Sequence, residues 1–161
     1  MYKEALEIDL KLLSREDQFD QMGMFLLRAT RISTELHRTS DVKPFALHYL
    51  KNLEDDWQIK LTILAWYVKC FPDNKELNTK NFEKFLSNIC HTMGLDIQAT
   101  SSFNDRVSYL YSEVQRGGLR LRDFHNAYFN ADANKRQAIV EAFLEADNSQ
   151  YYKKQVEKYL I

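Results

Sequence analysis

Arg120 and His125 stand five residues apart in the segment Gly117-Gly118-Leu119-Arg120-Leu121-Arg122-Asp123-Phe124-His125. An arginine can hold a phosphate and stabilise charge developing on it, and a histidine exchanges a proton near neutral pH. Together the two residue types suit phosphodiester cleavage without a metal. The remaining histidines, His37, His48 and His91, are scattered, and no two of the four lie three to five residues apart. One helix therefore cannot supply a two-histidine zinc face. The chain contains no G-x-S-x-G, no glycine-rich phosphate loop, no H-E-x-x-H and no calcium-loop pattern. Cys70 and Cys90 are twenty positions apart, and both sit among apolar neighbours. They read as small buried hydrophobes and not as a redox or metal pair. No metal, no cofactor and no catalytic residue is assigned from these patterns.

The Arg120–His125 spacing resembles the R-x4-H motif of HEPN-type ribonucleases, small helical domains in which that pair serves RNA cleavage. The resemblance covers six residues and implies that Arg120 holds the phosphate while His125 moves the proton. Leu121 departs from it, standing where that family usually has a polar residue, and a looser R-x5-H spacing recurs at Arg31 and His37. The same region carries a second reading as a nucleic-acid contact. Arg106, Arg116, Arg120, Arg122 and His125 are distributed around a Gly-Gly pair that reads as a flexible joint, with Tyr109, Tyr111 and Phe124 nearby. Arginines position phosphates and aromatic rings stack on bases. Glu113 and Asp123 dilute this charge. Affinity for nucleic acid rests largely on phosphate neutralisation, so a neutral domain starts at a disadvantage.

The aromatic load points elsewhere. The chain has 10 Phe, 9 Tyr and 2 Trp, and it closes on Tyr151, Tyr152, Tyr159 and Leu160. Tyrosine combines an apolar body with a polar tip and is enriched at protein interfaces. The leading expectation is a non-enzymatic interaction module, an accessory subunit, adaptor or inhibitor. Its partner would be another protein or a second copy of itself, through Tyr151, Tyr152, Tyr159 and Leu160.

Helices must carry all of these residues. Leu6, Leu10 and Leu13 recur at helical spacing, so residues 2–13 open the chain as a helix. Ser14 and Asp17 resemble a capping box for a helix over 15–37, with Phe19, Met22, Leu26 and Ala29 inward. A connector over 38–43 leads to Pro44 at a first helical position, then a short helix with Phe45, Leu47, Leu50 and Leu53. From Asp55 to Phe71 nearly every side chain is apolar. Gln58, Thr62 and Lys69 share one narrow stripe on a wheel of about 100° per residue, so this helix should be central and surrounded. Ile59-Lys60-Leu61-Thr62-Ile63 also alternates as a strand would, but no second alternating run offers it a partner. Asp56 is placed to pair with Lys60. After Pro72, Asn78 or Thr79 starts a helix with Phe82, Phe85, Leu86, Ile89 and Cys90 inward, and Gly94 gives it a left-handed cap.

A loop over 95–101 precedes Ser101 or Ser102, either of which caps a helix carrying Val107, Leu110, Tyr111 and Val114. Gly117-Gly118 is read as its end. Further helices follow over 120–130 with Leu121, Phe124 and Tyr128, from Asn134 with Ile139, Ala142 and Phe143, and over 150–160 with Tyr152, Val156, Tyr159 and Leu160 on one buried face. The fold class is all-α, one compact bundle of seven to nine helices over residues 1–161, with a subdomain joint near 72–79 as the alternative division.

Composition agrees with this reading. Glycine (4) and proline (2) are scarce, which disfavours turn-dense β architectures and low-complexity chains. Through Lys80 there are 12 basic and 13 acidic residues, and after it 10 of each, so no segment creates a long-range field. The longest apolar run, Ile63–Val68, is far short of the ~20 residues that span a bilayer. The acidic start from Met1 to Glu7 lacks a leader's pattern. A cytoplasmic protein without membrane contact is the expectation.

Overall fold

The protein is described by a computed structural model covering residues 1–15, 22–54, 56–96 and 101–160. The fold is all-α. Eight helices lie among the described residues: α1 (Tyr2–Leu13), α2 (Met22–Glu35), α3 (Thr39–Asn52), α4 (Trp57–Cys70), α5 (Thr79–Met93), α6 (Phe103–Asn130), α7 (Ala133–Glu145) and α8 (Gln150–Glu157). None of them is long and apolar enough to cross a membrane. The contacts divide the chain into two compact units, Met1–Thr79 and Lys80–Ile161.

In the N-terminal unit α2 packs against α1, α3 and α4, and α3 also touches α1 and α4. The core of α4 is Leu61, Ile63, Leu64, Ala65, Tyr67 and Val68, which confirms a helix in place of the rival strand. Asp56 is its N-cap, accepting from the Gln58 and Ile59 amides, while the Lys60 ammonium donates to the Leu53 carbonyl at 3.3 Å. Asp55, where the sequence begins this helix, lies outside the described residues.

Two N-terminal expectations change. Ser14 closes α1, its amide donating to the Leu10 carbonyl and its hydroxyl to the Lys11 carbonyl; Asp17 and Phe19 lie outside the described residues. The connector over 38–43 is instead the first turn of α3, which places Pro44 inside the helix. The missing Pro44 amide frees the Ser40 carbonyl, and Ser40 is exposed, so solvent satisfies it. Starting the helix at Thr39 also moves its interior stripe to Val42, Ala46, Tyr49 and Leu50.

The joint before α3 is tight. The Arg38 amide donates to the Ser33 carbonyl at 2.8 Å and the His37 amide to the Thr34 carbonyl at 3.2 Å. This is a Schellman ending, with His37 at φ +53° where glycine usually sits.

Among the described residues this core holds the hydroxyls of Thr30 and Ser33 and one charged group. Asp9 is fully buried, and its carboxylate accepts from the Arg28 guanidinium, at 2.9 Å from Nε to each oxygen and through a third contact from Nη2. The carboxylate holds Arg28 above its usual pKa, chiefly through this hydrogen bonding. Asp9 follows Leu6 by three and precedes Leu13 by four, on the apolar face of α1. Trp66 Nε1 donates to Thr34 Oγ1 at 2.9 Å, joining α4 to α2.

In the C-terminal unit α5 buries Phe82, Leu86, Ile89 and Met93 along one stripe. It ends as the sequence indicates: Gly94 has φ +67°, and the Leu95 amide returns to the Cys90 carbonyl at 2.9 Å. The Ser102 hydroxyl caps α6 by accepting from the Asp105 amide. The glycine pair does not end that helix. α6 runs on for 28 residues, through Gly117, Gly118 and the whole of the helix expected separately over 120–130. In α7 the buried residues are Val140 and Phe143, and Ala142 is exposed. α6, α7 and α8 pack on one another.

Candidate functional site

Gly117 is glycine because a ring lies against it. A Cβ there would stand 2.0 Å from Cε2 of Tyr152, whereas one at Gly118 would meet nothing within 4 Å. Tyr152 thus seats α8 in a notch on α6, and its hydroxyl donates to the Val114 carbonyl at 2.8 Å. Burial pushes its phenol up to about 12. Tyr151 meets Tyr152 edge-on at 5.1 Å between ring centres. Tyr152, expected on a docking face, is an internal anchor.

The arginines expected around a flexible joint stand instead along a continuous helix, each with an acceptor. Arg106 forms a two-pronged pair with Glu83, at 2.7 Å for both bonds. Arg116 pairs with Glu113 at 2.7 Å. Arg120 donates to the Asp147 carbonyl at 2.8 Å and to Asn148 Oδ1 at 3.1 Å, tying α6 to the turn before α8. Arg122 lies 3.6 Å from Asp123. Arg116, Arg120 and Arg122 are exposed, and Arg106 is half-buried. Five residues on a helix turn through about 140° beyond a full revolution, so Arg120 and His125 occupy different faces.

His125 belongs to another assembly. The last turns of α6 contribute Phe124, His125, Tyr128 and Phe129; Phe143 comes from α7 and Tyr159 from the turn after α8. Phe124 is buried at the centre, 5.3 Å from Phe143, 5.5 Å from Tyr159 and stacked on Tyr128 at 5.7 Å. Tyr128 and Tyr159 approach to 4.7 Å, and Phe129 meets both edge-on. The Tyr159 hydroxyl lies 3.5 Å from His125 Nε2. Two cations flank the rings: Arg136 is 5.3 Å from the Tyr128 centre, and the Lys158 ammonium is 5.2 Å from that of Tyr159. The outer side is open. Phe129 is 61 % exposed and Leu160 47 %, while His125, Tyr128 and Tyr159 are half-buried. Leu160 therefore does not share the burial of Tyr152 and Val156 on the terminal face.

Of the expected interface residues, Tyr159 and Leu160 are thus at the partly open C-terminal end of the unit, and Tyr159 meets His125 there. Phe129, Arg136 and Lys158 were not read from the sequence. A signal existed in the i, i+4 pairs Phe124–Tyr128 and His125–Phe129, which place four rings on adjacent tracks of one helix.

A second concave region lies in the N-terminal unit, where Lys43 pairs with Glu76 at 2.9 Å and lies over Phe71 at 4.8 Å. Cys70, Phe71 and the 72–76 turn line it with them. The Tyr67 hydroxyl beneath feels both charges, is fully buried, and has no hydrogen-bond partner among the described residues. Burial pushes both cysteine thiols up, away from the thiolate form a nucleophile needs. Among the described residues no group of three His, Cys, Asp or Glu is placed to hold a metal ion. Compared with known protein families, curated proteins and solved structures, the chain matches none.

Proposed function

We propose that this chain is a non-catalytic interaction module whose binding face is the open side of the aromatic assembly, centred on Phe129 with Tyr128, Tyr159, Leu160 and His125. The observation that carries the reading is Phe129: a phenyl ring largely in solvent, mounted on the rings of His125, Tyr128 and Tyr159. Isolated exposed apolar residues are ordinary on any protein. A ring held in place by other rings differs, because it is already ordered and loses little conformational freedom on docking. Aromatic anchors of this kind dominate binding energy at interfaces.

The internal acceptors of Arg106, Arg116, Arg120 and Arg122 favour this reading over phosphate contact, since each guanidinium must leave a partner before reaching a nucleic acid. The separate faces of Arg120 and His125 likewise favour it over RNA cleavage.

A photo-crosslinking residue at position 129, compared with one at exposed Ser112, tests the proposal in cells making the full chain. The expected result is a discrete protein adduct at 129 and none at 112, lost on competition with the unmodified chain. Equal labelling at both positions overturns it. Cleavage of RNA that disappears in His125→Ala while binding persists would replace it with the ribonuclease reading.

A further inference from the structure

From the charges bordering Phe129 we infer that the occupant of this face is an acidic peptide segment carrying an aromatic or aliphatic anchor; the inference rests on the proposed binding face and adds the chemistry of the partner. The cations bordering this face differ from three arginines elsewhere in the unit. Arg106, Arg116 and Arg122 each stand beside a carboxylate. Among the described residues Arg136 and Lys158 do not: Arg136 donates through Nε to the Ala131 carbonyl and lies on Tyr128, and Lys158 lies on Tyr159. From Lys153 to Leu160 the chain holds three lysines and one glutamate, against a total charge of −1. Two cations that lie on rings and not beside a carboxylate thus border the aromatic face.

A ring face attracts a cation but leaves its charge uncompensated, so both groups remain available to a carboxylate. The occupant must bring negative charge to two positions flanking an apolar contact. A peptide with acidic residues on either side of a large apolar side chain meets that demand. Its anchor would pack against Phe129 and Leu160, and its carboxylates would reach Arg136 and Lys158. A single-stranded nucleic acid is also anionic, but its binding proteins present successive open ring faces for stacking. Here the rings of Tyr128 and Tyr159 face Arg136, Lys158 and each other, and Phe129 alone is largely open.

The test is selection of random dodecapeptides displayed on phage against the full chain at low salt, followed by titration of the enriched peptides. The expected peptides carry Asp or Glu flanking Phe, Trp or Leu. Their binding disappears with Phe129→Ala and falls at least about tenfold with Arg136→Gln combined with Lys158→Gln, while Lys84→Gln leaves it unchanged. High salt weakens binding to the unaltered chain, which checks the charge requirement without any substitution.

Peptides that need Phe129 but carry no acidic bias overturn the inference and leave the binding face standing. Peptides indifferent to Phe129, or no enrichment, overturn both. Phe129-dependent capture of an oligouridylate probe, without acidic peptides, assigns the face to nucleic acid. A dimer in sedimentation that Phe129→Ala dissociates assigns it to a second copy.

Discussion

In the N-terminal unit the chain buries a carboxylate; in the C-terminal unit it leaves a phenyl ring outside. Asp9 sits within the apolar face of α1 and is answered by Arg28, whose side chain is 54 % exposed. Phe129 sits at the far end of α6, answered from below by other rings and from above by solvent. Both arrangements oppose simple partition, and their costs fall in different places. A buried charge costs stability unless its partner stays in place, so Asp9 constrains how α1 and α2 meet. An exposed ring costs folding little, and its effect appears when something covers it. The contrast teaches that a buried polar pair ties two helices within the first unit, whereas the second carries an exposed apolar ring, the group proposed above as the centre of a binding face.

The largest effect expected within this contrast is at α4. Leu64→Ala removes a fully buried side chain and should cost about 2–5 kcal/mol in urea unfolding. A loss below about 1 kcal/mol would show that the unit's stability does not reside in that helix.

Arg28→Ala should come next, at about 1–3 kcal/mol, because it strands the Asp9 carboxylate. Asp9→Asn combined with Arg28→Ala should cost less than the two single changes added together. Simple additivity would break the claim that the pair acts as a unit.

The glycine pair gives a test with opposite signs. Gly117→Ala should destabilise by about 1–3 kcal/mol through the Tyr152 ring, less the gain in helix propensity. Gly118→Ala should stabilise by up to about 1 kcal/mol, since its Cβ enters open space. The same sign at both positions in thermal melts would rule out the notch.

The smallest effect is at Tyr67. Removing its unpartnered hydroxyl in Tyr67→Phe should leave stability unchanged or raise it by about 1 kcal/mol. A clear loss would mean that the hydroxyl has a partner and that the N-terminal unit holds a further buried polar link.

What the sequence discloses follows from how far each cause reaches along the chain. The α4 helix is legible because its narrow polar stripe lies within its own residues. Gly94 is legible because a left-handed cap depends on adjacent backbone. Gly117 is not: its cause is Tyr152, 35 residues onward, and a local reading takes the same residue type for a stop. Pro44 misleads for a related reason, since a helix that begins earlier can tolerate it beside a solvated carbonyl. Asp9 was available from its spacing with Leu6 and Leu13, but its partner Arg28 lies on another helix. At the candidate face, Tyr159, Leu160 and His125 were each singled out, for different reasons and in different segments. Only the folding of α7 and α8 onto α6 joins them with Phe129 and shows Tyr152 to be the anchor of α8 on α6.

The notch at Gly117 also has a consequence for descent. A hydrogen atom at one position and a phenol at the other form a single inherited trait, because enlarging residue 117 leaves no room for the ring at 152. Lineages of this chain should keep glycine with tyrosine, or exchange both at once for a larger residue facing a smaller one. Position 118, one step along the same helix, should drift without regard to either.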